Sequence, residues 1–243
     1  MKLAVVAGID KVVALDSKGG TEVWAANFIQ EHARRGVEID LYAVGGSMTG
    51  RNINLIDILP HPLPAYYSDV YFSNEENFMK RKEQFAATVL TRVLMQLKEK
   101  ENTYDFIIDS CSYPSFTYAT KALRNKVIVI GHFPVDFSLQ FYIKTFGMSP
   151  NNFFVFPTRR QERLADFIPQ NNKTMIPHGI NISSIPFNAN GGEHMIWLSR
   201  FHKRTNKGLE EAMRVANMVR RKLIASAYVE KTSEEYFSQA IVP

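Results

Sequence analysis

The chain has 243 residues, of which 45% are hydrophobic and 22% charged, an ordinary globular composition with enough apolar material for a sizeable core. No run of 18 apolar residues occurs, and the N-terminal apolar stretch, Met1 to Gly8, is too short for a secretory leader, so neither a membrane span nor a signal peptide is expected. The net charge of +5 suits an anionic small ligand or an anionic surface, and the single cysteine, Cys111, fits a reducing, cytoplasmic setting.

Residues 2–8 are apolar and β-branched and predict a buried strand. Residues 20–35 carry Val23, Trp24, Ala26, Phe28 and Ile29 at helical spacing, and Gly36 stops that helix. A second strand is expected over 37–44, then a long loop over 45–74, where Pro60, Pro62 and Pro64 oppose regular structure. The aromatics of that loop, Tyr66, Tyr67, Tyr71 and Phe72, either pack back on the core, shape an acceptor site or touch a membrane surface. A long amphipathic helix follows over 75–100. Strands are expected at 104–109, 126–131, 153–156 and 173–176, with short helices at 115–123 and 158–167. This strand–helix alternation predicts a parallel sheet with helices on both faces.

The stretch Pro177 to Gly192, rich in Asn, Ser, Pro and Gly, breaks the pattern and reads as a linker. Alternation then resumes: strand 194–199, helix 207–221, strand 222–227 and helix 233–240. Residues 1–185 are therefore expected as a Rossmann-like domain, and 186–243 as a linker with the start of a second, incomplete Rossmann-like unit. Two parallel strands alone make a poor core, so the second unit is expected to be a truncation or to pack on the first. Residues 189–243 hold nine Lys and Arg against six Asp and Glu, with Arg200, Lys203, Arg204 and Lys207 in one short stretch.

Three segments carry candidate chemistry. Gly19-Gly20-Thr21-Glu22 stands between the first strand and the first helix, where glycines admit close backbone approach and the helix N-terminus favours an anion. Ser199-Arg200 to Lys207-Gly208 runs from a strand into a helix. A guanidinium and an ammonium at that mouth suit a diphosphate. His132 ends a strand, and His178 lies at the start of the linker; either can hydrogen-bond a hydroxyl or phosphate. No metal-ligand spacing, no P-loop and no G-x-G-x-x-G after the first strand occurs, so no metal site is expected and a dehydrogenase reading is disfavoured.

In order and spacing, Gly19-Gly20-Thr21-Glu22, Val155-Phe156-Pro157-Thr158, Met175-Ile176-Pro177-His178-Gly179-Ile180-Asn181 and Trp197-Leu198-Ser199-Arg200 through Lys207-Gly208 resemble the family-4 retaining glycosyltransferases of the two-Rossmann-domain (GT-B) kind. The resemblance implies transfer of a sugar from a UDP- or GDP-sugar to a glycan or lipid-linked acceptor, without metal or resident cofactor. It implies that Arg200 and Lys207 hold the donor diphosphate. Gly19 and Gly20 would lie beside it, with Thr21 and Glu22 in the same donor or acceptor loop. The implied partners are the nucleotide sugar and the acceptor, with no nucleic acid; peripheral contact with the inner membrane face is one of the readings left open by the aromatics of the 45–74 loop. Three departures stand out. Ser199 replaces a glycine. Ser110, Cys111 and Ser112 stand where the family often has a histidine, leaving His132, one strand later, as the candidate catalytic histidine. The family's glutamate pair in the second domain has no counterpart before Pro243. Two alternatives remain open: a non-catalytic glycan- or partner-binding module, and a sugar-nucleotide epimerase of the same shape.

Overall fold

A computed structural model describes residues 1–63, 75–133, 137–182, 185–186, 188–201, 207–229 and 234–240, with the backbone alone at 75–81, 83, 200, 227, 228 and 240. The chain divides into two units, Met1–Ile182 and Ser183–Pro243.

The first unit is built on a seven-stranded, wholly parallel sheet. Its strands are β1 (Lys2–Val6), β2 (Glu38–Val44), β3 (Ile53–Leu59), β4 (Phe106–Asp109), β5 (Val127–Ile130), β6 (Asn152–Phe156) and β7 (Lys173–Met175). They lie in the order β3-β2-β1-β4-β5-β6-β7. The strands are short apolar runs because both faces of the sheet are covered. On β1, Ala4 and Val6 enter one core with Leu90, Val93 and Leu97 of helix α2 (Glu75–Glu99) and Phe116 of α3 (Pro114–Ala119). Leu3 and Val5 enter the other with Ala25, Ala26 and Ile29 of α1 (Gly20–Arg34). The period-2 alternation of a strand thus supplies two cores at once.

The expected α/β fold class is the observed one, with two changes. The segment expected as a loop over 45–74 contains β3, which pairs with β2 from Ile39↔Ile53 to Val44↔Leu59. Its prolines begin just after the strand ends. Being the edge strand, β3 has one buried residue, Ile58, and so lacks the apolar signature of its neighbours. Tyr66, Tyr67, Tyr71 and Phe72 lie outside the described residues. A helix not anticipated, α4 (Phe137–Phe146), joins β5 to β6, while the helix expected over 158–167 is α5 (Arg159–Leu164).

In the second unit β8 (Met195–Phe201) pairs in parallel with β9 (Leu223–Val229). Helix α6 (Leu209–Met218) packs on both strands. Helix α7 (Glu234–Ala240) closes over Phe201, whose ring stacks on Tyr236 at 6.2 Å and meets Phe237 edge-on at 5.0 Å. Ile196, Leu198 and Ile224 stay exposed. The strand β8 reaches two residues further than expected, so Arg200 belongs to the strand, opposite Tyr228 of β9.

Candidate functional site

The strand order of the first sheet reverses between β1 and β4, which opens a crevice beyond their carboxyl ends. Gly8, just past β1, faces Cys111, just past β4: a Cβ on Gly8 would lie 3.9 Å from the Cys111 carbonyl oxygen. Asp109 is the last residue of β4 and is fully enclosed. Its carboxylate accepts from the Thr117 hydroxyl at 2.6 Å, the Cys111 amide at 3.2 Å and the Cys111 thiol at 3.0 Å. Burial raises its pKa and also that of the Cys111 thiol, which the adjacent carboxylate raises further. Cys111 is therefore a packed structural thiol rather than a nucleophile. These bonds brace the turn that carries Ser110 through Ser112, where Ser112 takes the left-handed backbone at φ 62°.

The Oγ of Ser110 lies 2.8 Å from Nε2 of His132, which arrives from the end of β5. Nδ1 of His132 lies 3.3 Å from Nε2 of His178, which arrives from beyond β7. Three strand ends thus converge on one chain of polar groups, running from buried Ser110 through half-buried His132 to exposed His178. Trp24 of α1 roofs it, edge-on to His132 at 4.8 Å and tilted against His178 at 5.3 Å. Burial, with a smaller contribution from the charge of His178, lowers the pKa of His132 to about 4. At neutral pH the imidazole is uncharged and links a hydroxyl to a second imidazole. Burial lowers the pKa of His178 as well. Beside the chain a cleft opens between Ser112, Gly131, His132 and Phe133 on one side and Leu139 of α4 on the other.

The Gly19–Gly20 pair sits at the head of α1, with Gly19 as its N-cap and Gly20 and Thr21 in its first turn. Glu22, in the same turn, is buried and bends back over Gly19. A Cβ on Gly19 would overlap the Glu22 carboxylate, and one on Gly8 would lie 3.6 Å from it. A carboxylate of the chain itself therefore stands at the positive end of this helix.

In the second unit, Lys207 (φ 54°) and Gly208 (φ 79°) turn the chain into α6, and the Trp197 indole N–H holds the Lys207 carbonyl at 3.0 Å. The Lys207 side chain is exposed. Residues 202–206, including Lys203 and Arg204, lie outside the described set. Sequence reasoning singled out both histidines but treated Ser110 only as a substitution. The bond from Ser110 to His132 spans 22 residues, beyond the reach of local pattern.

No protein-family model matches the chain, and no curated sequence is similar to it at a meaningful level. Solved structures do match. The chain is similar over 98% of its length to AviGT4, a glycosyltransferase involved in avilamycin A biosynthesis, with TM-score 0.54 and 15% identity. It is similar over 99% to the sucrose-phosphate synthase of Thermosynechococcus elongatus, with TM-score 0.65 and 12% identity. A candidate UDP-N-acetylglucosamine 2-epimerase of Listeria monocytogenes matches over the whole chain, with TM-score 0.53 and 12% identity. The chain spans 60% of the first of these structures, 67% of the second and 66% of the third. Identities this low carry the fold and nothing finer: the chain has the Rossmann-like α/β fold of the GT-B glycosyltransferases and of the epimerase that shares their shape.

Proposed function

We propose that this chain is a glycosyltransferase, or the acceptor-side part of one, that moves a sugar from a nucleotide-sugar donor to a hydroxyl of a glycan or lipid-linked acceptor. The single observation that supports this best is the convergence of Ser110, His132 and His178 under Trp24 at the reversal point of the sheet. A sugar hydroxyl needs directional hydrogen bonds and an aromatic face rather than a strong charge. Exposed His178, held in line through uncharged His132 and Ser110, supplies the first, and Trp24 the second. Both nitrogens of His132 already have partners within the chain, so His132 orients Ser110, and exposed His178 is the member that an incoming ligand meets first. Glu22 suits a hydroxyl donor better than a phosphate, because two anions would repel at that seat. The donor diphosphate falls instead to Arg200 and Lys207, a basic pair at a strand end and a helix start.

In this reading the donor is held so that the leaving phosphate and the incoming hydroxyl meet on one face of the sugar, with retention. The chemistry is positional and electrostatic and uses neither a metal nor a resident cofactor. The second reading is a sugar-nucleotide epimerase, favoured by the match to the Listeria protein. Product analysis separates the two. With UDP- or GDP-sugars and a panel of glycan and lipid-linked acceptors, a transferase releases nucleoside diphosphate only when an acceptor is present. Proton NMR of UDP-N-acetylglucosamine incubated alone would show a C2 epimer for the epimerase. Formation of that epimer overturns the transferase reading.

A further inference from the structure

Helices α3 and α4 pack against each other over β5 and β6, and a gap remains between them and the sheet. The cleft beside His132 is the upper part of that gap. Its floor is Val129 of β5 with Phe154 and Phe156 of β6, and its wall is Leu139 of α4. A second, narrower hollow continues it. That hollow shares Thr117 of α3, Leu139 and Phe154 with the cleft and goes on to Ile143 of α4, Met148 and Asn152. Each element gives the same order. Phe156, Phe154 and Asn152 are alternate residues of β6 and share one face of the sheet, while Leu139 and Ile143 stand one turn apart on α4. The two hollows therefore form one groove along β6, about 13 Å from the Phe156 end to the Asn152 end.

The groove is apolar along its upper length and polar at its ends. Among the described residues that line the cleft, none carries a carboxylate, an ammonium or a guanidinium. Ser112 and His132 stand at its mouth. Lys121 borders the deeper hollow, its ammonium held over the Tyr118 ring at 4.2 Å from the centroid. At the far end Asn152 is only 3% exposed. Its amide nitrogen donates to the Thr120 hydroxyl at 3.0 Å, but its side-chain oxygen has no hydrogen-bond partner. A buried acceptor left unpaired is costly, and a ligand that brings a donor to this point removes the cost. A glycan in the groove would hold hydroxyls unpaired against Val129, Leu139 and Phe154, whereas a hydrocarbon gains from the same walls.

We infer that the groove between α3 and α4 seats the body of the acceptor, and that this body is a slender hydrophobic alcohol rather than a glycan. Its reacting hydroxyl lies at the mouth beside His132 and His178. Its hydrocarbon runs along β6, and a second donor group at its tip meets the Asn152 oxygen. The role of the alcohol as acceptor rests on the proposed transferase reading; its binding does not. A free short-chain alcohol and a membrane-borne one share this chemistry.

The test is NMR titration of the full chain labelled at its methionine methyls, without nucleotide, with Met148 assigned through Met148→Leu. The probes are octanol and its α,ω-diol in solution, geranylgeraniol in phosphatidylcholine vesicles, and methyl β-glucoside. At least one alcohol is expected to shift the Met148 signal saturably, while the glucoside at the same concentration leaves it in place. A stronger response to the free alcohols assigns a soluble acceptor, and a stronger response to geranylgeraniol a membrane-borne one; both support the groove. Leu139→Asn should weaken binding about tenfold, with the other methionine signals in place. Asn152→Leu should move the affinity ratio of diol to octanol about fivefold toward octanol. No shift with any alcohol, an equal shift with the glucoside, or affinities that both variants leave unchanged overturns the inference. Alcohol binding by a chain that binds neither UDP, GDP nor their sugars leaves the groove standing and overturns only its role as an acceptor seat.

Discussion

Ser110, His132 and His178 are separated by 22 and 46 residues and meet only because three parallel strands deliver their ends to one crevice. His132 sets the acid limit of that arrangement. Its pKa falls from 6.5 to about 4 on folding. Between those values the unfolded chain binds a proton that the folded chain refuses, so stability falls as pH drops through this window and levels off below about 4. The shift predicts a loss of about 2 kcal/mol between pH 7 and pH 5 from this one residue. Urea unfolding of the wild type and of His132→Gln at the two pH values checks this. The variant should lose correspondingly less on acidification, and an identical loss in both proteins would refute the assignment. His178 is shifted in the same direction, so some acid sensitivity should survive in the variant.

Most elements of the first unit could be read from the chain because a buried parallel strand must be apolar throughout: KLAVV, EIDLYAV, FIID, VIVI and NFFVF announce themselves. The two misses have opposite physical causes. As an edge strand, β3 alternates with polar residues and runs into prolines. Helix α4 puts phenylalanines on its open side, which removes the polar face that marks an amphipathic helix. The turn after β5 shows what element geometry demands of single residues. A Cβ on Gly131 would come within 2.7 Å of the Phe156 ring, which is buried in the core beside β5. Gly131→Ala should therefore cost about 1–3 kcal/mol in chemical denaturation and displace His132 from Ser110. The matching observation is a rise of the His132 pKa by NMR titration, because a displaced ring is better solvated. A variant as stable as wild type, with an unmoved titration, would contradict the packing described for this turn.

At the scale of the molecule, the two units divide the proposed work. The first holds the hydroxyl-binding chain of Ser110, His132 and His178; the second holds the basic pair at β8 and α6. The GT-B fold was legible from the order of moderately informative motifs, since Gly19-Gly20 and Lys207-Gly208 each fall where a strand turns into a helix. The Ser110–His132–His178 chain was legible only in part, because residue type singles out histidines while a partner such as Ser110 is chosen by topology. The donor side decides between a transferase and a fold relative with other work. The most direct measurement is calorimetric titration of the full chain with UDP, GDP and their sugars, repeated with Arg200→Ala and Lys207→Ala. The account predicts binding of at least one nucleotide, weakened about tenfold or more by each substitution, as expected for loss of a charge-assisted hydrogen bond. No binding by any of these nucleotides, or binding that both substitutions leave unchanged, would contradict it.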